Sequence, residues 1–226
     1  MTPQQATTTQ ENNERPLLLV MLSNVVSMIL LPLVIPTLAF GVILFGFPTL
    51  FGGYSFKIKM NLLVFVNLIT MVIPILFILM LKRFGFIKSL QMKDRTERII
   101  PMMVVSGIYV SLAVLLVTRL HINPVFSSVM VSIAFVTAMV TMVTFFWQIS
   151  AHSASVGGLL SLLFLLNAHI ENELMYAAML LFIIVSGVVM SARLYLNAHS
   201  LAQVVAGFVL GFVVNLLVIL RLFGEI

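Results

Sequence analysis

The sequence predicts an all-α, polytopic transmembrane helix bundle with about six to seven spans, and three observations support this fold class. Of the 226 residues, 62% are hydrophobic and only 8% are charged. The mean hydropathy is +1.20, which is typical of a membrane protein and not of a soluble domain. The charges fall in short islands, and the uncharged runs between them reach the roughly 20 residues that a helix needs to cross the hydrocarbon.

The first span is predicted from Pro16 to about Phe45. Pro32 and Pro36 kink it, which a membrane helix tolerates where neighbours satisfy the freed carbonyls. Two separate spans before residue 56 are the alternative. The uncharged run 120–170 is too long for one span and must contain a turn near 148–155. The other six spans are predicted at about 60–81, 101–118, 125–147, 153–168, 174–192 and 203–222.

Composition also predicts the domain organisation and the class of partner. Residues 1–15 are Thr, Gln, Asn and Glu-rich and are predicted to be a disordered polar tail, followed by one membrane domain at 16–226. The net charge of +5 favours contact with anionic lipid headgroups and argues against a nucleic-acid partner. The chain has no cysteine, so no disulfide indicates its compartment. The oligomeric state is left open.

Consecutive spans alternate in direction, so the links after the second, fourth and sixth spans lie on one face of the membrane. These links contain residues 93–98, 150–152 and 193–199. They hold most of the residues with acid–base or anion-binding chemistry. We therefore expect the three loops to cluster as one site on one membrane face.

The first two links carry anion-binding groups. Lys93 and Arg98 precede the third span, where cationic donors can bind phosphate oxygens; a solvated loop of interfacial anchors is the alternative. Ser150, Ala151 and His152 precede a helix start, where free N–H groups and the helix dipole attract anions. Ser150 is equally suited to cap that helix. His152 could give a proton to a leaving alkoxide near neutral pH.

The third link contains Arg193 and His199. On an unbroken helix these residues would point about 240° apart, so both face one ligand only if the helix breaks near Asn197. His199 and Gln203 are four residues apart and share a face if the last helix starts early. The Gln203 amide oxygen could then accept the imidazole N–H and leave the other ring nitrogen free to attack phosphorus. A histidine bonded to a glutamine for packing is the alternative. Just beyond, Gly207-x3-Gly211 is a small-residue pattern that permits close helix packing, as are the pairs Ser106-Gly107 and Ser186-Gly187.

These links resemble the type 2 phosphatidic acid phosphatase superfamily of membrane lipid phosphatases, over roughly residues 93–207. That family carries K-x6-R-P, P-S-G-H and S-R-x5-H-x3-D, in this order. The third motif is present as Arg193-x5-His199-x3-Gln203, with glutamine in place of the aspartate. The second is Ser-Ala-His at 150–152, without the leading proline and with alanine for glycine.

The first motif keeps Lys93 and Pro101 at the family spacing. Ile100 stands where the family has arginine, and Arg98 lies two residues earlier. The chain is thus similar to a divergent, bacterial-type member of the family. The family's aspartate orients the nucleophilic histidine and stabilises its positive charge, whereas Gln203 can only orient it.

The resemblance implies a phosphoric ester hydrolase that acts on a phosphomonoester or diphosphate lipid without a metal or other cofactor. His199 would form a phosphohistidine, His152 would protonate the leaving lipid oxygen, and Gln203 would orient His199. The phosphate would be held by Lys93, Arg98, Ser150, the backbone at Ala151, and Arg193.

Two other hypotheses remain open. One is a related protein that binds a lipid phosphate with little catalysis, motivated by Gln203 and Ile100. The other is a transporter, motivated only by the number of spans. The predicted location is a cell membrane, as a multi-pass protein of the bacterial inner membrane. Eight basic residues on the motif face against four on the other favour a cytoplasmic site. Three of the eight are assigned to substrate, however, and the resemblance favours a periplasmic one.

Overall fold

The computed structural model describes residues 16–46, 51–90, 92, 94–120, 122–169 and 173–223. These ranges form eight helices and no strand, so the predicted all-α bundle is confirmed. The predicted tail at 1–15 lies outside the described residues, and the domain boundary at residue 16 stays a prediction. The helices are α1 (Leu17–Ile29), α2 (Ile35–Gly46), α3 (Phe56–Arg83), α4 (Arg95–Leu120), α5 (Pro124–Thr144), α6 (Ala151–His169), α7 (Glu173–Tyr195) and α8 (Leu201–Phe223).

Within the described ranges, the six helices α3 to α8 are long and apolar enough to cross a membrane. This number agrees with the prediction of six to seven spans. Each long helix ends close to where the sequence placed a polar link. The protein is therefore a multi-pass membrane protein.

The first predicted span is broken instead of kinked. Residues 30–34 are not helical, and they separate α1 from α2, which have 13 and 12 residues. Pro32 and Pro36 explain the break, because each removes a backbone donor and disfavours helix at the residue before it. Either helix alone is shorter than the roughly 20 residues of a full span. α1 packs against α7, and α2 packs against α3, α5 and α6.

The helix α4 begins six residues earlier than predicted. We expected Pro101 in the first turn, but α4 starts at Arg95 and Pro101 lies inside it. Asp94 is the residue before the helix and is exposed. The early start places Arg98 on the first turn of a helix and not in a loop.

The closest helix crossing joins α6 to α8. A Cβ atom added at Gly211 would lie 1.9 Å from the backbone oxygen of Ala154, and one at Gly207 would lie 2.6 Å from that of Ser150. A Cβ at Gly157 would meet the Phe208 carbonyl oxygen at 2.4 Å. Only glycine permits this approach of two backbones, so the predicted role of Gly207-x3-Gly211 is confirmed. The same prediction for the pairs at Gly107 and Gly187 is wrong, because a Cβ atom added at either glycine would meet no atom within 4 Å. The crossing brings the start of α6 against the start of α8.

Candidate active site

One cavity of about 270 Å³ carries four basic side chains on otherwise mostly apolar walls. Arg98 comes from the start of α4, His152 from the start of α6, Arg193 from the end of α7, and His199 from the α7–α8 link. All four residues lie near helix ends that the alternating topology brings to one end of the bundle. The structure thus brings residues of the three predicted links together in one place.

The start of α8 fixes the ring of His199 through Gln203. The Ser200 hydroxyl accepts a bond of 3.4 Å from the Gln203 backbone N–H, and Gln203 Oε1 accepts one of 3.1 Å from the Ser200 backbone N–H. This reciprocal pair is a capping box. The same Oε1 lies 3.2 Å from Nδ1 of His199. Because a backbone N–H only donates, the atom facing it is the amide oxygen, and Nδ1 of His199 is the donor to it.

The other ring nitrogen of His199 faces Arg98. Nη1 of Arg98 lies 3.3 Å from Nε2 of His199, and Nε of Arg98 donates to the Met92 carbonyl at 2.6 Å. A guanidinium has donors only, so Nε2 accepts. The geometry around His199 therefore fits one tautomer, with the proton on Nδ1 and the lone pair on Nε2.

The surroundings of His199 keep its ring neutral. Burial, followed by the positive charges of Arg98 and Arg193, lowers its pKa from the ordinary 6.5 to about 4. Hydrogen bonds to the Gln203 side chain and the Gln148 backbone raise the pKa, but they are outweighed. At neutral pH the imidazole carries no charge, which is the form that can act as a nucleophile.

The end of α7 turns the chain between Arg193 and His199. Asn197 has a φ of +50°, in the left-handed region. Its N–H donates to the Leu194 carbonyl at 2.9 Å, and the Ala198 N–H donates to the Arg193 carbonyl at 3.1 Å. These two bonds form a Schellman motif, in which asparagine is the best-tolerated residue after glycine. The break occurs where the sequence predicted it, and it lets Arg193 and His199 line one cavity.

His152 is tied to the first helix of the chain. Its Nε2 lies 3.2 Å from the backbone oxygen of Ser27, so this nitrogen carries the proton and donates it. Ala151 and His152 are the first two residues of α6, and both line the cavity. The N–H groups at a helix start carry a partial positive charge, so the backbone here favours an anion.

The guanidinium of Arg193 makes a hydrogen bond through one nitrogen and has an unsatisfied donor at another. Its Nη1 donates to the Ser27 hydroxyl at 3.2 Å. Its Nε is buried and has no hydrogen-bond partner. A buried donor without a partner costs free energy, and in a functional site it is explained by a ligand that supplies the acceptor.

The positive charge in this cavity has no counter-charge in the described part of the chain. Within that part, no carboxylate is ion-paired with Arg98 or Arg193, and none is among the groups that shift the pKa of His199. Buried charges normally have an opposite partner. The two guanidinium groups therefore favour an anionic ligand.

Ser150 occupies a capping position and not the cavity wall. Its hydroxyl accepts from the backbone N–H of Ser153 at 3.3 Å and lies 2.9 Å from the Ser153 hydroxyl. Its own N–H donates to the Gln203 carbonyl at 3.2 Å, and its side chain is fully buried. The capping alternative from the sequence describes this geometry better than direct contact with phosphate.

Only part of the first motif, residues 94–101, lies within the described residues. Lys93 lies outside the described residues. Ile100 is exposed on the surface of the bundle, while Arg98, about 200° away around the helix axis, reaches His199. Arg95 instead donates to the backbone oxygens of Phe145 and Thr144, at the end of α5. In the described part of the chain, no three His, Cys, Asp or Glu side chains are grouped to hold a metal ion.

Sequence reasoning missed Ser27 and the capping box. Ser27 is 166 residues from Arg193, and no motif links the two. Its one signal is a serine in an apolar segment just before two prolines. Ser200-x-x-Gln203, by contrast, is a recognisable capping-box pattern that would have predicted the start of α8.

A known protein family matches part of the chain. The model of the PAP2 superfamily matches residues 144–225, a segment that includes His152, Arg193, His199 and Gln203. No curated protein and no solved structure matches the chain. The match and the six apolar helices together support a membrane phosphatase. Residues 144–225 are thus similar to the PAP2 superfamily, in agreement with the resemblance of the sequence motifs to the type 2 phosphatidic acid phosphatases.

Proposed function

We propose that the protein hydrolyses a lipid phosphate without a metal, through a covalent phosphohistidine on Nε2 of His199. One observation carries this proposal. A neutral imidazole with its lone pair on Nε2 shares a cavity with two guanidinium groups, of which Arg193 has a buried, unsatisfied Nε. This combination suits an anionic electrophile. Phosphate esters are electrophiles of this kind, and the matching family generally hydrolyses them.

In the first step, Nε2 of His199 attacks phosphorus and the bond from phosphorus to the lipid oxygen breaks. His152, protonated on Nδ1 when the anionic phosphate binds beside it, gives this proton to that oxygen while its Nε2–H stays bonded to the Ser27 carbonyl, so the lipid leaves as an alcohol. Oε1 of Gln203 accepts the hydrogen bond from Nδ1 of His199 throughout and keeps the ring oriented.

The charge that develops on the phosphoryl oxygens is stabilised by Arg98, Arg193 and the backbone N–H groups at Ala151 and His152. Lys93 joins this set in our proposal, and Ser150 supports it by capping α6.

In the second step, a water molecule attacks the phosphohistidine and the P–N bond breaks. His152, now neutral, takes the proton from water, and inorganic phosphate leaves. His199 returns to its neutral tautomer because Nδ1 keeps its proton, which it donates to Oε1 of Gln203 throughout the cycle. Each atom and proton is accounted for by the protein, the lipid and one water, so the cycle needs no further reactant.

Phosphate release from a lipid phosphate by the purified protein in lipid nanodiscs tests the proposal, with His199→Asn as the comparison. We expect the variant to lose at least about 10³-fold in turnover, since the nucleophile is gone. Wild type quenched during turnover should carry an acid-labile, base-stable phosphate on His199. Equal phosphate release from wild type and His199→Asn would overturn the proposal.

His152→Gln tests the assigned proton donor separately. An alkyl phosphate has a basic leaving oxygen that needs the proton, whereas p-nitrophenyl phosphate releases a stable anion. We expect a loss of about 10²–10⁴-fold for the alkyl ester and a much smaller loss for the nitrophenyl ester. Equal losses for both esters would contradict the assignment of His152 as general acid.

The amide at Gln203 favours one second candidate, a lipid-phosphate-binding protein with weak catalysis. Gln203 offers no negative charge to stabilise a cationic His199 during attack. In that case wild type and His199→Asn would release equally little phosphate, while Arg193→Gln would still weaken binding of a phosphorylated lipid.

We further propose that the cavity opens on the periplasmic face of a bacterial inner membrane. The chain has no cysteine, so single cysteines can report each face. Asp94 and Lys57 are exposed at opposite ends of the bundle. A membrane-impermeant maleimide should label Asp94→Cys but not Lys57→Cys in intact cells, and the reverse pattern would place the site in the cytoplasm.

A further inference from the structure

The cavity continues well beyond the four basic residues, into the interior of the bundle. On α4 it is lined from Arg98 to Tyr109, and on α6 from His152 to Leu162. With a rise of 1.5 Å per residue, both helices give a depth of about 15 Å. The wall is completed by apolar residues of α2 and α5, such as Ala39 and Ile133. We call this inner part, which α2, α4, α5 and α6 line together with Asn215 of α8, the shaft.

The polar residues of the shaft are already hydrogen-bonded within the protein. The Tyr109 hydroxyl donates to the Thr70 carbonyl at 2.8 Å, and the Thr137 hydroxyl donates to the Ile133 carbonyl at 2.8 Å. Ser155 donates to the His152 carbonyl, and Asn215 donates to the Ser161 hydroxyl. Arg193, at the other end of the cavity, has the unsatisfied donor. The cavity is thus polar at one end and suited to hydrocarbon along the rest.

The size of the cavity limits what enters it. Its volume of about 270 Å³ is nearly twice the roughly 150 Å³ of an engineered cavity that holds one benzene molecule. A phosphate group and the first part of one slender chain fit that space. A glycerol carrying two acyl chains does not.

We propose that the shaft is a binding site for one unbranched hydrocarbon chain, so that the preferred substrates are single-chain phosphates. This inference rests on the proposed function for the position of the phosphate, and it adds the class of lipid. The chain enters the bundle beside Pro101 and Val105, and its phosphate stays at Arg98 and Arg193. Burial of its methylene groups contributes about 0.8 kcal/mol each to binding, so affinity rises with chain length until the shaft is full.

Two substitutions fill the shaft from different helices. Val105→Phe on α4 and Thr137→Phe on α5 both place a ring in it. Met103→Phe is the matched control, because Met103 lies on α4 but is exposed on the outer surface. Whichever of the two shaft variants folds serves as the test, and neither residue touches the phosphate site.

Binding is measured in lipid nanodiscs as the thermal stabilisation by dodecyl phosphonate and by methyl phosphonate, neither of which can be hydrolysed. In wild type and Met103→Phe we expect the dodecyl compound to bind at least 100-fold more tightly. In a shaft variant this ratio should fall at least tenfold, with methyl phosphonate binding unchanged. An unchanged ratio would overturn the chain site.

Turnover distinguishes failure of the chain site from failure of the proposed function. Wild type should hydrolyse dodecyl phosphate with a kcat/KM at least tenfold above that of a two-chain phosphatidate. Equal or better hydrolysis of phosphatidate would overturn the single-chain preference while leaving the phosphatase intact. Absence of any hydrolysis would remove the proposed function, and the phosphonate binding ratio would still decide the chain site.

Discussion

The hydroxyl of Ser27 accepts a hydrogen bond of 3.2 Å from Nη1 of Arg193 and so fixes the guanidinium at the cavity. Nε, on the opposite edge of the guanidinium, is left without a partner. The edge formed by Nε and Nη2 can donate two parallel hydrogen bonds to two phosphate oxygens. Ser27 therefore positions Arg193 for bidentate binding, although it lies on a helix outside the segment that matches the family.

Ser27→Ala should weaken substrate binding more than it slows the chemistry. The loss of one hydrogen bond to a charged group lets the guanidinium rotate away from the phosphate, and we expect KM to rise about tenfold. The turnover number should change less than threefold, because His199 and His152 keep their contacts. Steady-state kinetics with a lipid phosphate in nanodiscs measures both parameters.

Two variants control this prediction. Ser27→Thr keeps the hydroxyl and should restore the KM of wild type. Ser23→Ala lies one turn earlier on α1, where the described structure gives the side chain no hydrogen bond, and should behave as wild type. A KM for Ser27→Ala equal to that of Ser23→Ala would mean that Ser27 does not position Arg193.

Asn197 determines where the chain turns between Arg193 and His199. Its φ of +50° strains any β-branched residue, by roughly 1–2 kcal/mol. Asn197→Val should relieve this strain by shifting the turn, which moves His199 away from Gln203 and Arg98. We expect kcat to fall at least tenfold, measured with a lipid phosphate. Asn197→Gly adopts the same backbone freely and should keep full activity; loss of activity in both variants would implicate the side chain instead of the turn.

The local features of the site could be predicted from sequence, because they depend on spacing along one helix or link. The contact from His199 to Gln203 follows from a four-residue spacing once α8 starts at Leu201. The helix break near Asn197 followed from the need for Arg193 and His199 to face one ligand. The close packing of α8 at Gly207 and Gly211 followed from two glycines four residues apart, whereas its partner helix α6 did not.

The features that sequence could not give depend on tertiary packing or on helix register. The contact of Ser27 with Arg193 joins two helices far apart in the chain, and hydrophobic periodicity carries no information about it. The contact of Arg98 with His199 depends on the start of α4 at Arg95, which rotates Ile100 outwards. Two prolines four residues apart are compatible with a kink or with a break, and packing against the bundle selected the break.

The pH dependence of His199 should be that of a histidine with a pKa near 4. The neutral ring is the attacking form, so it is present above this pKa and lost as the pH falls through about 4. An unperturbed histidine would lose the neutral form near 6.5. Because the substrate phosphate itself titrates near pH 6, the ring should be titrated directly by NMR in the substrate-free protein, with His199→Asn to assign its signal.

Gln203→Glu should move this titration upwards. The carboxylate keeps the reach of the glutamine side chain and favours the protonated ring, so the pKa of His199 rises and the neutral form is lost at a higher pH. Ala202→Glu adds the same charge on the same turn of α8 but on an exposed side, and should move the pKa much less. Equal shifts in both variants would show that Oε1 of Gln203 does not contact the ring.

The close crossing of α6 and α8 holds the start of α6, which carries His152, in place. Adding one methyl group at a glycine of this crossing should therefore lower the stability of the protein. Gly211→Ala would place Cβ 1.9 Å from the Ala154 backbone oxygen, which forces the helices apart. We expect a destabilisation of about 1–3 kcal/mol, together with reduced activity, because α6 carries His152. Gly107→Ala, also within a long helix, would place its Cβ in open space and should be neutral or stabilising by up to about 1 kcal/mol. Equilibrium unfolding of both variants in mixed micelles, at matched lipid content, measures the difference. Equal stability of the two variants would mean that the helices are not in contact at Gly211, and His152 would then need another support to meet His199 in one cavity.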